Sequence, residues 1–376
     1  MNSFSTGARP QWFEIENVEE VESPALLVYP ARVDENIQRM IAIAGEAKKL
    51  RPHAKTHKLR EIAARQITAG IKKFKAATIA EAEMLGRAGA RDVLLAYQPV
   101  GPNVRRFLEL SKAFPGTGFS CLIDDMDTAR ALSFQAMKMN TRPGVFLDLD
   151  VGQHRTGIPP DGDALELYKQ IAALPNLQLI GLHAYDGHLH GSDPEERKRD
   201  ADQAFAPVAR LRNKLEQLGV PVKTVVAGGT PTFPAHALRP GVDCSPGTCV
   251  FWDFGYSSRF ADLDFLHAAL VLTRVISKPG QSRLCLDLGH KAVASENPPP
   301  RVHFLNAPSA RQVSHSEEHM VVEVEPQQQW AVGHSLYGVP GHICPTVALH
   351  GEAVVIENNR ATAKWRITAR ERHLTL

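Results

Sequence analysis

The chain lacks most of the features that mark a specialised protein class. Its five cysteines (Cys121, Cys244, Cys249, Cys285, Cys344) are odd in number and never in C-x-x-C spacing. That argues against a disulfide framework and suits a reducing compartment. Neither charge dominates: 43 Lys and Arg stand against 41 Asp and Glu, a formal net charge of +2 with no basic block, so neither nucleic acid nor a membrane surface is an expected partner. No apolar run reaches the ~18 residues of a membrane span. The opening M-N-S-F-S-T-G-A-R-P-Q-W-F-E lacks the basic-then-apolar pattern of a signal peptide, and the expectation is a cytoplasmic globular protein. G-x-x-x-x-G-K-[ST] and G-x-G-x-x-G are both missing, which removes support for a nucleotide site. There are no repeats or low-complexity tracts.

What the sequence does have is alternation. From about residue 24, short apolar runs at 25–29, 50–54, 73–77, 92–96, 118–122, 145–149, 179–183 and 224–227 alternate with helical patterns. Within 31–48, Val33, Ile37, Met40, Ile41 and Ala44 share one helical face, and later Phe205, Val208, Leu211 and Leu215 share another. Strand then helix, repeated, predicts a parallel sheet with right-handed crossovers. Eight units over ~200 residues suit a closed (β/α)8 barrel of the TIM type better than an open sheet. After about residue 256, runs such as 283–288, 320–324 and 347–350 follow one another with few helical stretches, and the tail reads as a hairpin around Glu357–Arg360. The expected organisation is a barrel over 24–255 and a mostly antiparallel β domain over 256–376, to which 10–23 can add a strand.

In such a barrel the loops after the strands build the active site. Around the end of 50–54 lie His53, Lys55, His57 and Lys58; after 145–149 come Asp150, His154 and Arg155. After 179–183 come Tyr185, Asp186, His188 and His190, with His183 at the strand end, and after 224–227 come Gly228, Gly229 and Thr230. A lysine beside two histidines and another lysine can have its pKa lowered by neighbouring charge and partial burial, and it then becomes nucleophilic enough for a Schiff base. Lys55 and Lys58 compete for that role, and a solvated basic loop is the third reading. Backbone N–H groups of Gly228 and Gly229 can approach a phosphate, Thr230 can add a hydroxyl, and the turn at 243–250 can complete the cup. Arg155 at a pyridine nitrogen and Tyr185 on a ring face would serve an aromatic cofactor. The alternatives are a salt bridge from Arg155 to Asp148 or Asp150 and a merely packed tyrosine. In G-V-P-G-H-I-C-P-T, His342 and Cys344 stand two residues apart, so on an extended segment both point the same way. Imidazole with thiolate is a pair that Zn²⁺ favours, with positions left for water or substrate.

Taken in order, R-P-H-A-K-T-H-K (51–58), D-x-G-x-x-R-x-G (150–157), H-A-Y-D-G-H (183–188), A-G-G-T-P-T (227–232) and H-I-C-P-T (342–346) resemble the D-threonine aldolase and D-serine dehydratase family of fold-type III pyridoxal-phosphate enzymes. The resemblance runs over essentially the whole chain, from S-P-A-L-L-V-Y to the C-terminal strands. It implies an alanine-racemase-like barrel followed by a β domain, with pyridoxal 5'-phosphate on Lys55. It implies Arg155 and Tyr185 around the pyridine ring, and Gly228, Gly229 and Thr230 at the phosphate. It further implies a divalent metal (Zn²⁺, Mn²⁺ or Mg²⁺) on His342 and Cys344 beside the substrate's β-hydroxyl, and by analogy a head-to-tail homodimer.

The implied substrate is a small β-hydroxy-D-amino acid. Within the family His-x-Cys goes with zinc-dependent dehydratases and His-x-Asp with several aldolases, whereas L-L-A-Y-Q-P-V-G-P-N (94–103) and H-A-Y-D-G-H look like chains grouped with the aldolases. The reading adopted is retro-aldol cleavage to glycine and an aldehyde, with metal-bound hydroxide, His188 or His190 as the base at the β-hydroxyl. The alternative is a D-serine or 3-hydroxy-D-aspartate dehydratase that releases a keto acid and ammonia, with Lys55 taking the α-proton. More distant is an amino-acid racemase, which needs a second acid/base such as Tyr337.

Overall fold

The computed structural model describes residues 10–325 and 329–376. The chain divides into two compact units, one holding the chain up to Asn36 with Val250–Ile367, the other Ile37–Cys249 with Thr368–Leu376. Strand β1 (Ala25–Val28) belongs to the first. Among the described residues the second carries seven parallel strands hydrogen-bonded in sequence order: β2 (Lys73–Ala76), β3 (Asp92–Leu95), β4 (Gly118–Ile123), β5 (Gly144–Leu149), β6 (Gln178–Ala184), β7 (Thr224–Ala227) and β8 (Val242–Cys244). The segment 50–54 runs between the two edge strands. Arg51 N–H donates to Cys244 O (2.8 Å) and His53 N–H to Pro246 O (2.8 Å) on one side; Ala54 N–H donates to Lys75 O (2.8 Å) on the other. It acts as the eighth stave and closes the ring.

The expected barrel is therefore present, with one reassignment. The run 25–29, read as the first barrel strand, is β1 of the other unit, where it lies between antiparallel β9 (Ala269–Ser277) and a parallel neighbour. Leu26, Leu27 and Val28 are fully buried, and a strand covered on both faces reads as an unbroken apolar run whichever sheet it joins. The last barrel position falls instead to β8, which at three residues is too short for any periodicity to declare it.

Local chemistry sets the helices that space these strands. Helix Ile79–Arg87 starts at Thr78, whose hydroxyl accepts Glu81 N–H (3.0 Å), while the Glu81 carboxylate accepts Ala77 N–H (2.6 Å). Helix Pro194–Gln217 starts on Asp193, with proline at its first position, and buries Val208, Leu211 and Leu215. Inside the barrel, Leu94, Leu122, Phe146 and Val226 form a packed layer. No helix among the described residues is long and apolar enough to cross a membrane.

The first unit also holds β10 (Arg283–Leu286), β11 (Val302–Phe304), β12 (Arg311–His315), β13 (Met320–Glu323), β14 (Ser335–Pro340), β15 (Glu352–Glu357) and β16 (Arg360–Arg366). The order is β12-β13-β10-β9-β1-β15-β16, with β14 also on β9 and β11 on β14, and among these pairs only β1–β15 is parallel. The hairpin around Glu357–Arg360 turns on Asn358 and Asn359, with φ of 49° and 57°, the left-handed pair that a two-residue hairpin requires. Residues 10–23 add no strand. They add Phe13, Ile15, Val18 and Val21 to a core that includes Leu27, Leu270 and Leu272. The run 347–350, read as extended, mostly falls in a short helix, Ile343–Leu349, whose first turn contains Pro345.

Candidate active site

Strand alternation fixes what faces the barrel interior. Segment 50–54 pairs with β2 at His53 and Lys75, and Lys55, two residues on, lies in the turn that leaves the end of this segment, where Lys58 N–H donates to Ala54 O (2.9 Å). On β5 and β6, Asp148 and His183 pair in register, and Tyr185 follows just past the end of β6. These residues line a cavity of about 380 Å³ together with His53, Asp150, Arg155, Leu122 and others. A larger cleft of about 810 Å³ in the β unit, bordered by Glu20, Lys291, His350 and Lys364, has no comparable convergence of reactive groups.

The two lysines of the sequence motif part company here. Lys55 lines the cavity. Lys58, at φ 53°, forms an ion pair with the buried Glu81. The flanking histidines are buried and neutral: burial takes His57 down to about 3, and burial with the charges of Lys55 and Lys75 holds His53 well below its usual range.

Opposite them, His183 and Asp148 are bonded at 2.6 Å through Nδ1, which places the ring proton on that nitrogen. Burial outweighs the Asp148 charge and lowers the His183 pKa. Nε2 is then a buried lone pair without a hydrogen-bond partner among the described residues. Asp150 is bonded to the His154 ring (2.7 Å), so neither carboxylate proposed as a salt-bridge partner is reserved for Arg155. Arg155 is exposed, with its guanidinium carbon 5.3 Å from the Tyr185 ring centroid.

The Tyr185 ring is held by backbone on two sides. A Cβ on Gly187 would sit 2.3 Å from its Cε1, and one on Gly229 would sit 3.1 Å from its Cε2. Gly228 has φ +75°, and a Cβ there would meet His236 at 2.7 Å. Beneath this turn lies Asp186, which accepts from Thr232 Oγ1 (2.8 Å) and pairs with His236 Nε2 (2.8 Å). Burial opposes its charge, but these bonds prevail and keep its pKa low. The Thr230 hydroxyl oxygen accepts the N–H groups of Gly247 and Thr248 (both 3.1 Å), so the side chain ties the two glycine turns together.

In the β unit, His342 immediately precedes the helix that contains Cys344, without capping it by its side chain, so the pair sits on a strand-to-helix turn rather than on an extended segment. The two side chains are nevertheless hydrogen-bonded to each other, and His342 Nδ1 is 2.5 Å from Glu296. Burial would lower the imidazole pKa, but Cys344, Glu296 and Asp253 together raise it to about 9. Among the described residues no group of three His, Cys, Asp or Glu side chains is arranged as a metal site. Tyr337, the racemase candidate, is buried; its hydroxyl accepts Ile15 N–H (3.3 Å), and burial pushes it up to about 12.

The structure thus gathers Lys55, Arg155 and Tyr185, with Gly229 against the tyrosine. His188 and His190 do not line the cavity: His188 lies against Gly152, and His190 is exposed. Two participants escaped the sequence reading. Lys75 is 2% exposed, bonds Ser245 Oγ at 2.6 Å and lies 5.1 Å from the Tyr185 ring centroid. Burial, then the charge of Lys55, takes it down to about 7. The signal was present as K-F-K-A, two lysines on one face of a buried strand. His183 stood two residues before Tyr185 and was left without a role.

Residues 28–251 match the family model for the alanine racemase N-terminal domain, and 268–356 match that for a putative serine dehydratase domain. The chain is 32% identical to a D-threonine aldolase from Arthrobacter over 93% of both chains. It is 28% identical to a 3-hydroxy-D-aspartate aldolase from Paracoccus denitrificans over 93% of this chain and 92% of that one. Its fold superposes on a crystal structure of D-threonine aldolase from Filomicrobium marinum with a TM-score of 0.88 and 27% identity, covering 96% and 99% of the two chains.

Proposed function

The chain belongs to the D-threonine aldolase and D-serine dehydratase family, built on the alanine racemase N-terminal domain, and from that we propose a pyridoxal-phosphate-dependent lyase of β-hydroxy-D-amino acids that cleaves Cα–Cβ. The observation that carries the reading is the cavity at the barrel mouth, where Lys55 shares a lining with Tyr185, Arg155 and the His183–Asp148 pair.

The residues present fit the cofactor. Lys55, Lys75 and Arg155 bring N–H donors to the cavity whatever the charge on Lys75, which suits an anionic ligand. The glycine turn at 228–229 leaves no room for a side chain at Gly228. Lys55 would hold the carbonyl carbon, Tyr185 would support the ring face, Arg155 would border it, and Gly228, Gly229 and Thr230 would form the phosphate cup, Thr230 by joining the two turns. Bound pyridoxal phosphate supplies an electron sink for the bond broken at Cα.

The chain's own contribution is proton handling and exclusion of water. His183 lines the cavity and keeps a lone pair on its buried Nε2, and Asp148 would stabilise the imidazolium once that atom took the β-hydroxyl proton. This geometry favours His183 over His188 and His190 as the base. His342 and Cys344 fit a divalent metal by donor chemistry: nitrogen and sulfur already in contact, with Glu296 behind the imidazole as an orienting carboxylate. A metal there would displace the proton that His342 otherwise keeps. Its charge would lower the pKa of a hydroxyl bound to it.

Cleavage rather than dehydration is supported by the two aldolases, at 32% and 28% identity. Incubation with D-threonine and with D-serine decides it. Glycine and acetaldehyde from D-threonine are expected; 2-oxobutyrate or pyruvate with ammonia would assign the dehydratase instead. Lys55→Ala should abolish the visible absorbance of bound cofactor, and full activity after chelation would remove the metal from the proposal.

A further inference from the structure

We propose that Lys75 faces the pyridine nitrogen of the bound cofactor; the inference rests on the reading of the cavity as a pyridoxal-phosphate site. The cofactor's carbonyl substituent and its ring nitrogen lie at opposite ends of the ring. The carbonyl end must meet Lys55 and stay open to the mouth, where substrate enters. The nitrogen therefore points inward, to the layer beneath Lys55. Lys75 occupies that layer: it is level with His53 through the pairing of segment 50–54 with β2, whereas Lys55 lies in the turn that follows.

Other groups at this depth have their donors already placed, and His183 Nε2 is left only a lone pair to offer. His53 Nδ1 lies 3.1 Å from Lys75 O, His183 and Asp148 bond each other, and the Ser245 hydroxyl donates to Gly228 O at 2.9 Å. The Lys75 amine spends one N–H on Ser245 at 2.6 Å and has further donors to give. That tether fixes it under the glycine turn and beside the Tyr185 ring, while Arg155 approaches the same ring from the exposed rim. A hydrogen bond from Lys75 leaves the pyridine nitrogen an acceptor rather than a protonated site and moderates the ring as an electron sink. Burial and the charges of Lys55 and Arg51 favour the neutral amine, Asp148 and Asp186 oppose it, and either form of the amine can donate.

The test uses holoenzyme loaded with cofactor carrying ¹⁵N in the ring, read by ¹⁵N and ³¹P magnetic resonance at fixed pH, with cofactor affinity measured alongside. Lys75→Met should move the ring ¹⁵N resonance, leave the ³¹P resonance in place and weaken cofactor binding about fivefold, the worth of one hydrogen bond. Lys75→Gln, which keeps a donor at the same depth, should recover part of both effects and decides the matter if the methionine variant does not load. A ring resonance unchanged in the variants, or a change confined to ³¹P, overturns the proposal. Wild-type protein that forms no Lys55-dependent absorbance would instead overturn the cofactor reading beneath it.

Discussion

At the scale of single residues, the most consequential choice in this chain is to bury an amine. Lys75 is 2% exposed, and its pKa falls from 10.5 to about 7, through burial first and the charge of Lys55 second. Below pH 7 both folded and unfolded chains carry the proton, and the cost of a buried ammonium is fully present. Between 7 and 10.5 the unfolded chain holds a proton that the folded chain has released, so this group makes stability rise with pH across that window. At about 1.4 kcal/mol per unit the full span is of order 4–5 kcal/mol. Cofactor-free Lys75→Met is therefore expected to be more stable than wild type at pH 6 by a few kcal/mol, with the advantage shrinking by pH 9. Urea denaturation at the two pH values measures it; a difference independent of pH would mean that the amine is not buried as placed. An enzyme that carries this cost is trading stability for a group at its site.

At the scale of elements, one carboxylate joins two short helices of the β unit. Asp253 is 1% exposed; one of its oxygens accepts Tyr256 N–H (2.9 Å) and caps helix Phe254–Ser257, while the other accepts Ile343 N–H (3.0 Å) at the start of the helix that carries Cys344. Each cap is worth roughly 1 kcal/mol. Asp253→Ala is expected to cost about 2 kcal/mol in thermal denaturation and to weaken zinc binding to the protein by loosening the His342–Cys344 turn. Asp253→Asn retains one acceptor and should cost about half as much. A metal affinity unmoved by the alanine change would show that the turn is held by something else.

The same elements show what was legible in the sequence. The parallel barrel and the antiparallel unit were, because strand–helix alternation and the Asn358–Asn359 turn are local signals. The identity of β1 was not, because Leu26, Leu27 and Val28 are covered on both faces and carry no mark of which sheet covers them. The helix over 343–349 was missed because its cap, Asp253, is ninety residues away in the chain. At the site, motif residues such as Lys55 and Tyr185 were readable, and the choice between Lys55 and Lys58 was not. That choice depended on Glu81, brought to Lys58 by the fold. Lys75 and His183 were visible as letters, but their burial is a tertiary fact.

At the scale of the whole molecule, neither unit is a continuous stretch of chain. The C-terminal tail after Ile367 returns to the barrel unit, where Thr375 and Leu376 bond the buried Glu83. The β unit draws on the N-terminal segment: β1 hydrogen-bonds to β9 on one side and β15 on the other, and Phe13, Ile15, Val18 and Val21 fill the core beside it. At roughly 1.5–3 kcal/mol per buried side chain these four contribute about 6–12 kcal/mol as an upper estimate. That is comparable with the whole stability of a typical domain. The stretch 256–376, which its succession of strand-like runs and turns marks as a domain in the sequence, is therefore expected not to fold when expressed by itself. A chain joining 10–36 to 250–367 through a flexible linker should regain a cooperative melt by circular dichroism and dispersed amide resonances. A folded 256–376 fragment would show that β1 is a replaceable filler of the sheet, and the dependence of this unit on the N-terminal segment would fall with it.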